Sequence, residues 1–421
     1  MKNFFFGNQP DRPYQVKEEN ASNPYSNALE IDRAVQREMA KQKLYGLAIG
    51  IVKNEEIIYL KGYGYEDFEN KVPVEAHKTM FRWASLSKSV TGVVAMQAVF
   101  AGTLDLDTDV RNYVPGYKFP NNYAYPLENG KFQIQTIPNY TKLCITPRML
   151  LNHDSGIKDF SNGPNEAGVP PDHLINDPNV NTGIFWAGKY FWNDPDHLLY
   201  IPGTQYSYSV YGYTLAGMVI ERAGNTSQSY WEKVRDKIAV PFGMTPTSFP
   251  NHPEAGYLSE TCFQPDWEWV NIPRRAIGYN YNKKTRKYAR VESKDVSWRL
   301  PAGGFISTVE NLAQYCKGLI NREDVLPAQI KQDILWKGSQ YREGKSMKQS
   351  MGFSVGEFKD RKRIIGAGAQ PKTRTRLIIY PDERLAFVAM SNSEWANLNK
   401  VCDVLENASR KKKRFLNGVN F

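Results

Sequence analysis

A serine and a lysine stand three residues apart in the stretch Phe81-Arg82-Trp83-Ala84-Ser85-Leu86-Ser87-Lys88-Ser89-Val90-Thr91-Gly92. The apolar residues that follow Val90 cover nearly the whole circumference of a helix that is predicted to end at Gly102, so this helix is expected to be buried. Residues three apart lie on one helical face, and Ser85 and Lys88 therefore share its first turn. The stretch predicts a buried helix with two chemically useful side chains at its mouth.

This pair of side chains suits nucleophilic catalysis. A serine hydroxyl is a poor nucleophile until a base removes its proton. A lysine held in a dry place has a lowered pKa and can act as that base. The helix N-terminus adds partial positive charge and free N–H groups where an oxyanion would form. The local pattern also allows a purely structural alternative, in which Ser85 is the N-cap of the helix.

A second stretch has the same spacing, Ser155-Gly156-Ile157-Lys158. Its glycine and its turn-like surroundings argue against a helix at that point. We therefore assign the candidate nucleophile to Ser85.

The bulk properties indicate a folded protein with two lobes, because 421 residues are too many for one simple core. No apolar run is long enough to cross a membrane, so no stable membrane insertion is predicted. The formal net charge of +10 would attract an anionic cell-wall polymer, a nucleic acid or a membrane surface. The dense basic run at residues 410–414 is interpreted as a solvated tail. The chain lacks a zinc finger, an RNA-recognition signature and a basic zipper, and no nucleic-acid partner is predicted.

Neither a metal site nor a cofactor is predicted. The four cysteines form no Cys-x-x-Cys, and their wide spacing shows neither a disulfide scaffold nor a zinc site, which leaves the redox compartment open. The five histidines also lack the spacing of metal ligands.

The predicted fold class is α+β, with an antiparallel sheet flanked by helices and an inserted, mostly helical lobe. Residues 1–25 form an irregular leader, residues 26–102 and 298–421 form a discontinuous α/β lobe, and residues 103–297 form the inserted lobe, with long loops and few strands. Strands that would build one sheet are predicted at 47–52, 57–63, 351–358, 363–369, 375–380 and 385–391.

Several helix boundaries also follow from local patterns. Ser26 is predicted to cap a first helix, and Thr146-Pro147 to open a short one. Ser307-Thr308-Val309-Glu310 has the pattern of a capping box. Strand character is expected to return near Pro301-Ala302-Gly303-Gly304, and a final helix is expected at about 396–408.

Two further elements can complete the chemistry around Ser85. A turn and a tyrosine-rich loop, from Pro202 to Tyr213, bring Tyr208 to the start of a helix; a phenolate beside a lysine ammonium serves as general base and then as acid. The segment Gly366-Ala367-Gly368-Ala369-Gln370 has small residues that allow a close approach to a ligand, and a backbone N–H there would complete an oxyanion hole. The plain alternatives are aromatic packing for the first element and a bulge for the second.

Together these elements resemble the serine β-lactamase-like and penicillin-binding superfamily, in particular the class C β-lactamase branch with its esterases and D-amino-acid peptidases. The resemblance covers about residues 27–392. Ser85-Leu86-Ser87-Lys88 is similar to the Ser-x-x-Lys of that superfamily, and Tyr208-Ser209-Val210 to its Tyr-x-Asn. Three other segments are also similar to it: Met149-Leu150-Leu151-Asn152-His153-Asp154-Ser155-Gly156-Ile157, Ala302-Gly303-Gly304-Phe305-Ile306-Ser307-Thr308, and Gly366-Ala367-Gly368, which stands where His-x-Gly or Lys-x-Gly is usual.

The resemblance implies a β-lactamase/transpeptidase-like fold with the site in the cleft between the two lobes. It implies that Ser85 attacks an ester or amide carbonyl while Lys88 and Tyr208 move protons. The backbone N–H groups of Ser85 and Ala369 would bind the oxyanion. No metal or cofactor is implied, and the partner is a small-molecule or peptide substrate.

The sequence departs from the family pattern where the substrate is bound. Val210 replaces the asparagine of Tyr-x-Asn, and Gly366 removes the polar or cationic side chain of the third element. Lys372, Arg374 and Arg376 follow closely and are candidates to supply the missing cation. The residues expected to face the substrate are Val210, Gly366, Gly368, Arg374 and Arg376.

The leading hypothesis is a serine hydrolase of esterase or peptidase type. A catalytically impaired relative that binds peptide or cell-wall fragments is the alternative, and an electrostatic polymer-binding protein is a third class. Family resemblance suggests export, although residues 1–7 lack the full apolar region and cleavage site of a signal peptide. The oligomeric state and the natural substrate stay open.

Overall fold

A computed structural model describes residues 27–159, 197–244, 263–266, 272–282, 284–285, 287–292, 296–340, 346–347 and 349–410. The predicted leader, the predicted cap Ser26, Cys262, most of the long excursion expected at 161–200 and the basic run after Arg410 lie outside these residues.

An eight-stranded antiparallel sheet forms the centre of the fold, with the strand order β13-β14-β15-β16-β17-β1-β2-β3. Its strands are β1 (Gly46–Lys53), β2 (Glu56–Asp67), β3 (Val72–Pro73), β13 (Gln349–Ser350), β14 (Phe353–Phe358), β15 (Arg361–Gln370), β16 (Thr373–Tyr380) and β17 (Leu385–Ser391). The six predicted strands therefore join one sheet, as expected, and two short strands extend its edges.

Helices cover both faces of this sheet. Every residue of β17 is buried, which is what central strands show when both faces are packed. Helices α1 and α9 pack together on one face, and α7 packs against β1 and β17. The helices are α1 (Ala28–Gln42), α2 (Ser87–Phe100), α3 (Pro147–Asn152), α4 (Val210–Arg222), α5 (Tyr230–Val234), α6 (Leu300–Gly303), α7 (Val309–Asn321), α8 (Ala328–Ile330) and α9 (Leu398–Ser409). The predicted α+β class is confirmed.

The remaining strands form smaller sheets. Strands β4 (Phe81–Arg82), β7 (Gln264–Pro265) and β10 (Phe305–Ser307) pair in the order β4-β10-β7. Three hairpins are formed by β5 (Asn122–Pro126) with β6 (Phe132–Thr136), by β8 (Tyr279–Asn282) with β9 (Lys287–Arg290), and by β11 (Ser339–Gln340) with β12 (Ser346–Met347). The first two lie in the region that was expected to have few strands, because short alternating segments beside prolines and asparagines give a weak pattern.

The division into two lobes at residues 103–297 stays a prediction. The described residues near the end of that region hydrogen-bond to the sheet. Tyr279 donates its N–H to the carbonyl of Asn392 at 2.9 Å, and Glu394 donates its N–H to the carbonyl of Tyr279 at 2.9 Å. Contacts between residues more than a hundred positions apart have no local sequence signal.

Two local predictions are wrong for identifiable reasons. Thr308 is the N-cap of α7, since its hydroxyl accepts the N–H of Asn311 at 3.2 Å. Ser307 lies in β10, where its hydroxyl accepts the indole N–H of Trp83 at 2.7 Å. The strand expected at residues 301–304 is the short helix α6, and the strand starts at Phe305.

The short helix α3 confirms the predicted cap and proline. Thr146 accepts the N–H of Met149 at 3.3 Å, and Pro147 occupies the first helical position, where a missing N–H costs nothing. The helix ends at His153, whose backbone is left-handed with φ of 61°.

The second half of β15 approaches the chain just before the predicted nucleophile. A Cβ on Gly368 would lie 2.1 Å from the carbonyl oxygen of Trp83, so only glycine fits there. The hydroxyls of Thr375 and Thr373 on the neighbouring strand donate to the carbonyls of Trp83 and Arg82 at 2.8 and 2.9 Å. These contacts attach the segment before Ser85 to the sheet.

Gly368→Ala should therefore reduce stability by about 1–3 kcal/mol, the usual cost of overpacking a well-packed site. Gly356→Ala is the matched control, because a Cβ on Gly356 in β14 would meet no atom within 4 Å. Urea unfolding of both variants and the wild type measures the difference. Equal stability of the two variants would show that the backbone at Gly368 has room to move.

Candidate active site

The candidate nucleophile lies in a tight turn that leads directly into α2. Residues Ala84–Leu86 form a 3₁₀ turn, in which the first backbone N–H groups have no partner within the helix. Ala84 has a left-handed backbone with φ of 50°, a conformation that costs an alanine roughly 1–3 kcal/mol and that surrounding contacts must maintain. The turn leaves Ser85 half-buried at the edge of a cleft.

Lys88 is buried, with only 2% of its surface exposed. Its ammonium donates to the carbonyl of Ala302 at 2.7 Å and lies 3.4 Å from Ser85 Oγ. Among the ion pairs of the described residues, none involves Lys88. The amine is therefore held beside the serine by a neutral oxygen and by geometry.

Tyr208 reaches the serine from the loop before α4. Its phenolic oxygen is 2.7 Å from Ser85 Oγ, and either oxygen can be the donor. The Lys88 ammonium lies 4.7 Å from the centre of the Tyr208 ring, a favourable arrangement for a cation and a π face. The fold thus brings together three side chains that were predicted to act together.

A cleft of about 710 Å³ opens in front of these side chains. It is lined by Ser85, Tyr208, Val210 and Ala302, by residues of the β15–β16 hairpin and by the start of α9. Of the residues predicted to face the substrate, Val210, Gly368, Arg374 and Arg376 line this cleft, and Gly366 does not.

The position of Gly366 has a packing explanation. A Cβ there would lie 2.4 Å from Cδ1 of Leu86 and 2.9 Å from Cγ of Leu377. Leucine side chains therefore occupy the space into which a lysine or histidine would project. An alanine or larger residue at this position would require Leu86 to move.

The two arginines lie on the other face of the hairpin from the nucleophile. Neighbouring residues in a strand point to opposite faces, and Thr375 points towards the segment before Ser85. Arg374 and Arg376 therefore point towards the face that carries α9. The cleft passes around the edge of β15 to reach them. Within the described residues, the buried Nε of Arg376 has no hydrogen-bond partner.

The second half of β15 has a free edge within the described residues, because β14 pairs only with its first half. The two-residue turn Pro371–Lys372 joins β15 to β16, and such a turn is closed by a hydrogen-bonded pair. In the next pair, Ala369 with Arg374, the backbone N–H groups therefore point away from the partner strand. The N–H of Ala369 consequently faces the cleft.

The sequence analysis singled out no role for four polar residues that surround the site. His153 packs its ring against Tyr208, with centroids 4.5 Å apart, and Asp159 lines the cleft while accepting the N–H of Val210 at 3.0 Å. Arg299 donates to the side chain of Gln370 at 3.1 Å, and both line the cleft. His153 lies in a segment that carried the family resemblance, and Gln370 ends the glycine-rich segment that starts at Gly366, whereas Asp159 and Arg299 had no local signal.

The alternative serine does not belong to this cleft. Ser155 is 1% exposed, and its hydroxyl lies 3.4 Å from the N–H of Ile157. Gly156 has φ of 75°, which breaks the helical face that a serine and a lysine would share. Assigning the nucleophile to Ser85 agrees with this geometry.

The described residues contain no group of three or more His, Cys, Asp or Glu side chains arranged to hold a metal ion. Within the same residues, every helix is too short or too polar to span a lipid bilayer. The thiols of Cys144, Cys316 and Cys402 are free.

Comparison with known families identifies the fold and its family. A family model described as beta-lactamase matches residues 31–398, which is most of the chain. The chain belongs to the beta-lactamase family. Membership confirms the resemblance to the serine β-lactamase and penicillin-binding superfamily that the motifs around Ser85 indicated.

Two curated relatives resemble this chain at low sequence identity. Protein flp of Staphylococcus aureus (strain N315) is 24% identical over 387 residues, covering 92% of this chain and 67% of that protein. The serine beta-lactamase-like protein LACTB, mitochondrial, of Homo sapiens is 26% identical over 355 residues, covering 69% of this chain and 58% of that protein. The chain thus spans about two thirds or less of the length of these relatives.

Solved structures share the beta-lactamase fold. The octameric penicillin-binding protein homologue from Pyrococcus abyssi superposes with a TM-score of 0.66 at 22% identity, covering 88% of this chain and 75% of that one. The D-amino acid amidase from Ochrobactrum anthropi SV3 superposes with a TM-score of 0.66 at 19% identity, covering 90% of this chain and 98% of that one. At these identities the similarity establishes the fold alone.

Asp154 is a buried carboxyl beside the site, and burial raises its pKa to about 7. Its Oδ1 has no hydrogen-bond partner among the described residues. The folded state therefore keeps a proton that the unfolded state loses above about pH 4. Between about pH 4 and 7 stability should fall as the pH rises, by up to about 1.4 kcal/mol per pH unit.

Asp154→Asn carries a neutral amide at every pH and should lose this slope. Urea unfolding of wild type and variant between pH 4.5 and 8 tests the prediction, and the variant should become the more stable of the two at the alkaline end. Parallel pH profiles would mean that Asp154 is ionised in the fold.

Proposed function

We propose that this protein is a serine hydrolase that cleaves an ester or amide through an acyl-enzyme. The observation that carries the proposal is the position of Ser85 Oγ, 2.7 Å from the Tyr208 oxygen and 3.4 Å from the Lys88 ammonium, at the edge of a cleft of about 710 Å³. The distance to Tyr208 suits direct proton transfer, and the longer one places the Lys88 ammonium beside the pair. Membership of the beta-lactamase family supports the same reaction class.

The proposed first half-reaction forms the acyl-enzyme. Ser85 Oγ attacks the substrate carbonyl while its proton passes to the oxygen of Tyr208, which acts as a phenolate against the Lys88 ammonium. The carbonyl oxygen becomes an oxyanion and is bound by the backbone N–H groups of Ser85 and Ala369. The tetrahedral intermediate then collapses, and the departing alcohol or amine takes the proton from Tyr208.

In the second half-reaction, water attacks the acyl carbonyl of Ser85. The Tyr208–Lys88 pair accepts the proton of the water and returns it to Ser85 Oγ as the acid product leaves. The net reaction adds one water across the ester or amide bond. No other reactant is required, so the three side chains and two N–H groups account for the whole cycle.

A catalytically impaired binding protein is the second candidate function. The aliphatic residue Val210 lines the cleft, and the side-chain space at Gly366 is filled by Leu86. These positions lack polar groups that usually contact the substrate in this superfamily. A protein without turnover would still bind peptide or cell-wall fragments in the same cleft. Binding of an anionic polymer, the third class, is supported only by the net charge of +10.

Covalent labelling separates these candidates. An alkyl fluorophosphonate should form one adduct per chain, and peptide mapping should place the adduct on Ser85, because that hydroxyl has a base within reach. Ser85→Ala should abolish labelling. Ser155→Ala, which alters the other serine of a Ser-x-x-Lys, should label like the wild type. An adduct at Ser155, or none on folded protein, would reject the proposal.

Replacing either member of the proton-transfer pair should be costly. Lys88→Ala and Tyr208→Phe should each slow acylation by about 10²–10⁴-fold, the usual contribution of a positioned general base. Tyr206→Phe is the matched control, since it removes another phenol of the same loop. A rate for Tyr208→Phe equal to that of the wild type would reduce Tyr208 to a packing role.

The absence of a cationic side chain at Gly366, where the family usually has one that binds a substrate carboxylate, further supports a preference for small uncharged esters. A charge-assisted hydrogen bond is worth about 1.5–3 kcal/mol, so its loss costs roughly ten- to a hundredfold for substrates that carry a carboxylate. We expect kcat/KM for a short-chain nitrophenyl ester to exceed that for nitrocefin or a D-alanyl peptide by at least such a factor. The amidase neighbour makes a D-amino acid amide a useful third probe.

Arg374 and Arg376 are the residues to test if this preference for uncharged esters is not observed. If nitrocefin or the peptide is turned over as efficiently as the ester, a cation must reach the substrate. Arg374→Ala and Arg376→Ala would then lower kcat/KM for the anionic substrate and leave the ester rate unchanged. Such a result would assign carboxylate recognition to strand β16.

A further inference from the structure

His153 holds the loop that carries Tyr208 from both sides. Its backbone carbonyl accepts the N–H of Ser207 at 2.6 Å, and its Nδ1 accepts the N–H of Ser209 at 3.1 Å. These two donors flank Tyr208 in the sequence. One residue therefore anchors the chain immediately before and immediately after the proposed acid–base residue.

The backbone of His153 makes this double contact possible. His153 follows helix α3 with φ of 61° and is 4% exposed. A left-handed residue turns the chain sharply, so that its carbonyl and its side chain both face the loop. The energetic cost of this conformation is moderate for histidine and asparagine, and high for branched residues.

The hydrogen bond also determines the state of the imidazole. Because Nδ1 accepts the N–H of Ser209, it carries no proton, and the neutral ring has its proton on Nε2. Burial, with a smaller contribution from the nearby charge of Lys88, lowers the pKa of His153 well below its usual value. The ring therefore stays neutral beside the ammonium and remains an acceptor at neutral pH.

The imidazole ring contacts Tyr208 and Tyr213, whose rings both face the Lys88 ammonium. Its centroid lies 4.5 Å from that of Tyr208 and 4.9 Å from that of Tyr213. Tyr208 itself is 36% exposed, so the protein core holds only part of it. The contacts of His153 are consequently a major restraint on where the Tyr208 oxygen lies.

We propose that His153 is a positioning residue that holds the Tyr208 oxygen within proton-transfer distance of Ser85, through the hydrogen bond from Ser209 to its Nδ1. This inference rests on the proposed acyl-enzyme function. A displacement of about 1 Å in a reacting group can cost on the order of 10²-fold in rate. His153 does not touch the substrate, and its effect is transmitted entirely through Tyr208.

Two substitutions separate the acceptor from the ring. His153→Asn places an oxygen where Nδ1 lies, keeps an acceptor for Ser209 and tolerates the left-handed backbone. His153→Phe keeps an aromatic ring against Tyr208 and removes the acceptor. If His153→Phe does not fold, His153→Gly serves instead, because glycine accepts the same backbone and also lacks the acceptor.

The experiment measures the rate at which a fluorophosphonate labels Ser85 in each variant, in the full chain and in a Tyr208→Phe background. Thermal unfolding checks that each variant is folded. We expect His153→Phe to be slower than wild type by about tenfold or more, and His153→Asn to stay within about threefold of it. In the Tyr208→Phe background, His153→Phe should cause no further loss, since the two residues act through one group.

The outcomes are distinguishable. An unlabelled wild type would overturn the proposed function and with it this inference. If Tyr208→Phe is slow but His153→Phe labels like wild type, only the positioning role is overturned. An equal loss from His153→Phe in both backgrounds would show a general structural effect and would also overturn that role.

Discussion

The close approach of strand β15 to the chain before the candidate nucleophile, Ser85, is the contact on which the geometry of the candidate site depends. At Gly368 the strand is so near the carbonyl of Trp83 that no Cβ fits. The hydroxyl of Thr375 donates to the same carbonyl at 2.8 Å and so restrains it further. Ala84, whose backbone is left-handed, follows this attachment directly and precedes Ser85. The proposed oxyanion hole, built from the turn at Ser85 and the strand edge at Ala369, would require that these two pieces be held together.

The second requirement of the site is a lysine beside a serine in a dry environment. The carbonyl of Ala302 binds the ammonium of Lys88 at 2.7 Å, and the face of Tyr208 lies against it. These groups attract the cation without neutralising it by a carboxylate. The neutral ring of His153 fits the same logic, because a charged imidazole at that place would repel the ammonium. The groups that contact or face the Lys88 ammonium are therefore neutral, and their charge matters as much as their shape.

The candidate site keeps the serine, lysine and tyrosine of the family motifs and departs from the family pattern at Val210 and Gly366. Leu86 fills the space at Gly366, and Val210 presents an apolar surface to the cleft. Three arginines also line the cleft: Arg299, which donates to Gln370, and Arg374 and Arg376, which come from the opposite face of the hairpin. The cleft therefore presents both apolar and charged surface.

The sequence by itself determined the features that depend on local spacing. The three-residue interval of Ser85 and Lys88, the alternation of the sheet strands and the Thr146 cap are properties of short segments, and the structure contains each of them. Only the tertiary structure decided which distant groups meet. The bond of Ser209 to His153 spans 56 residues, and the face on which Arg376 lies depends on the register of β16 with β15. Such contacts are selected by packing over the whole chain, and no local pattern records them.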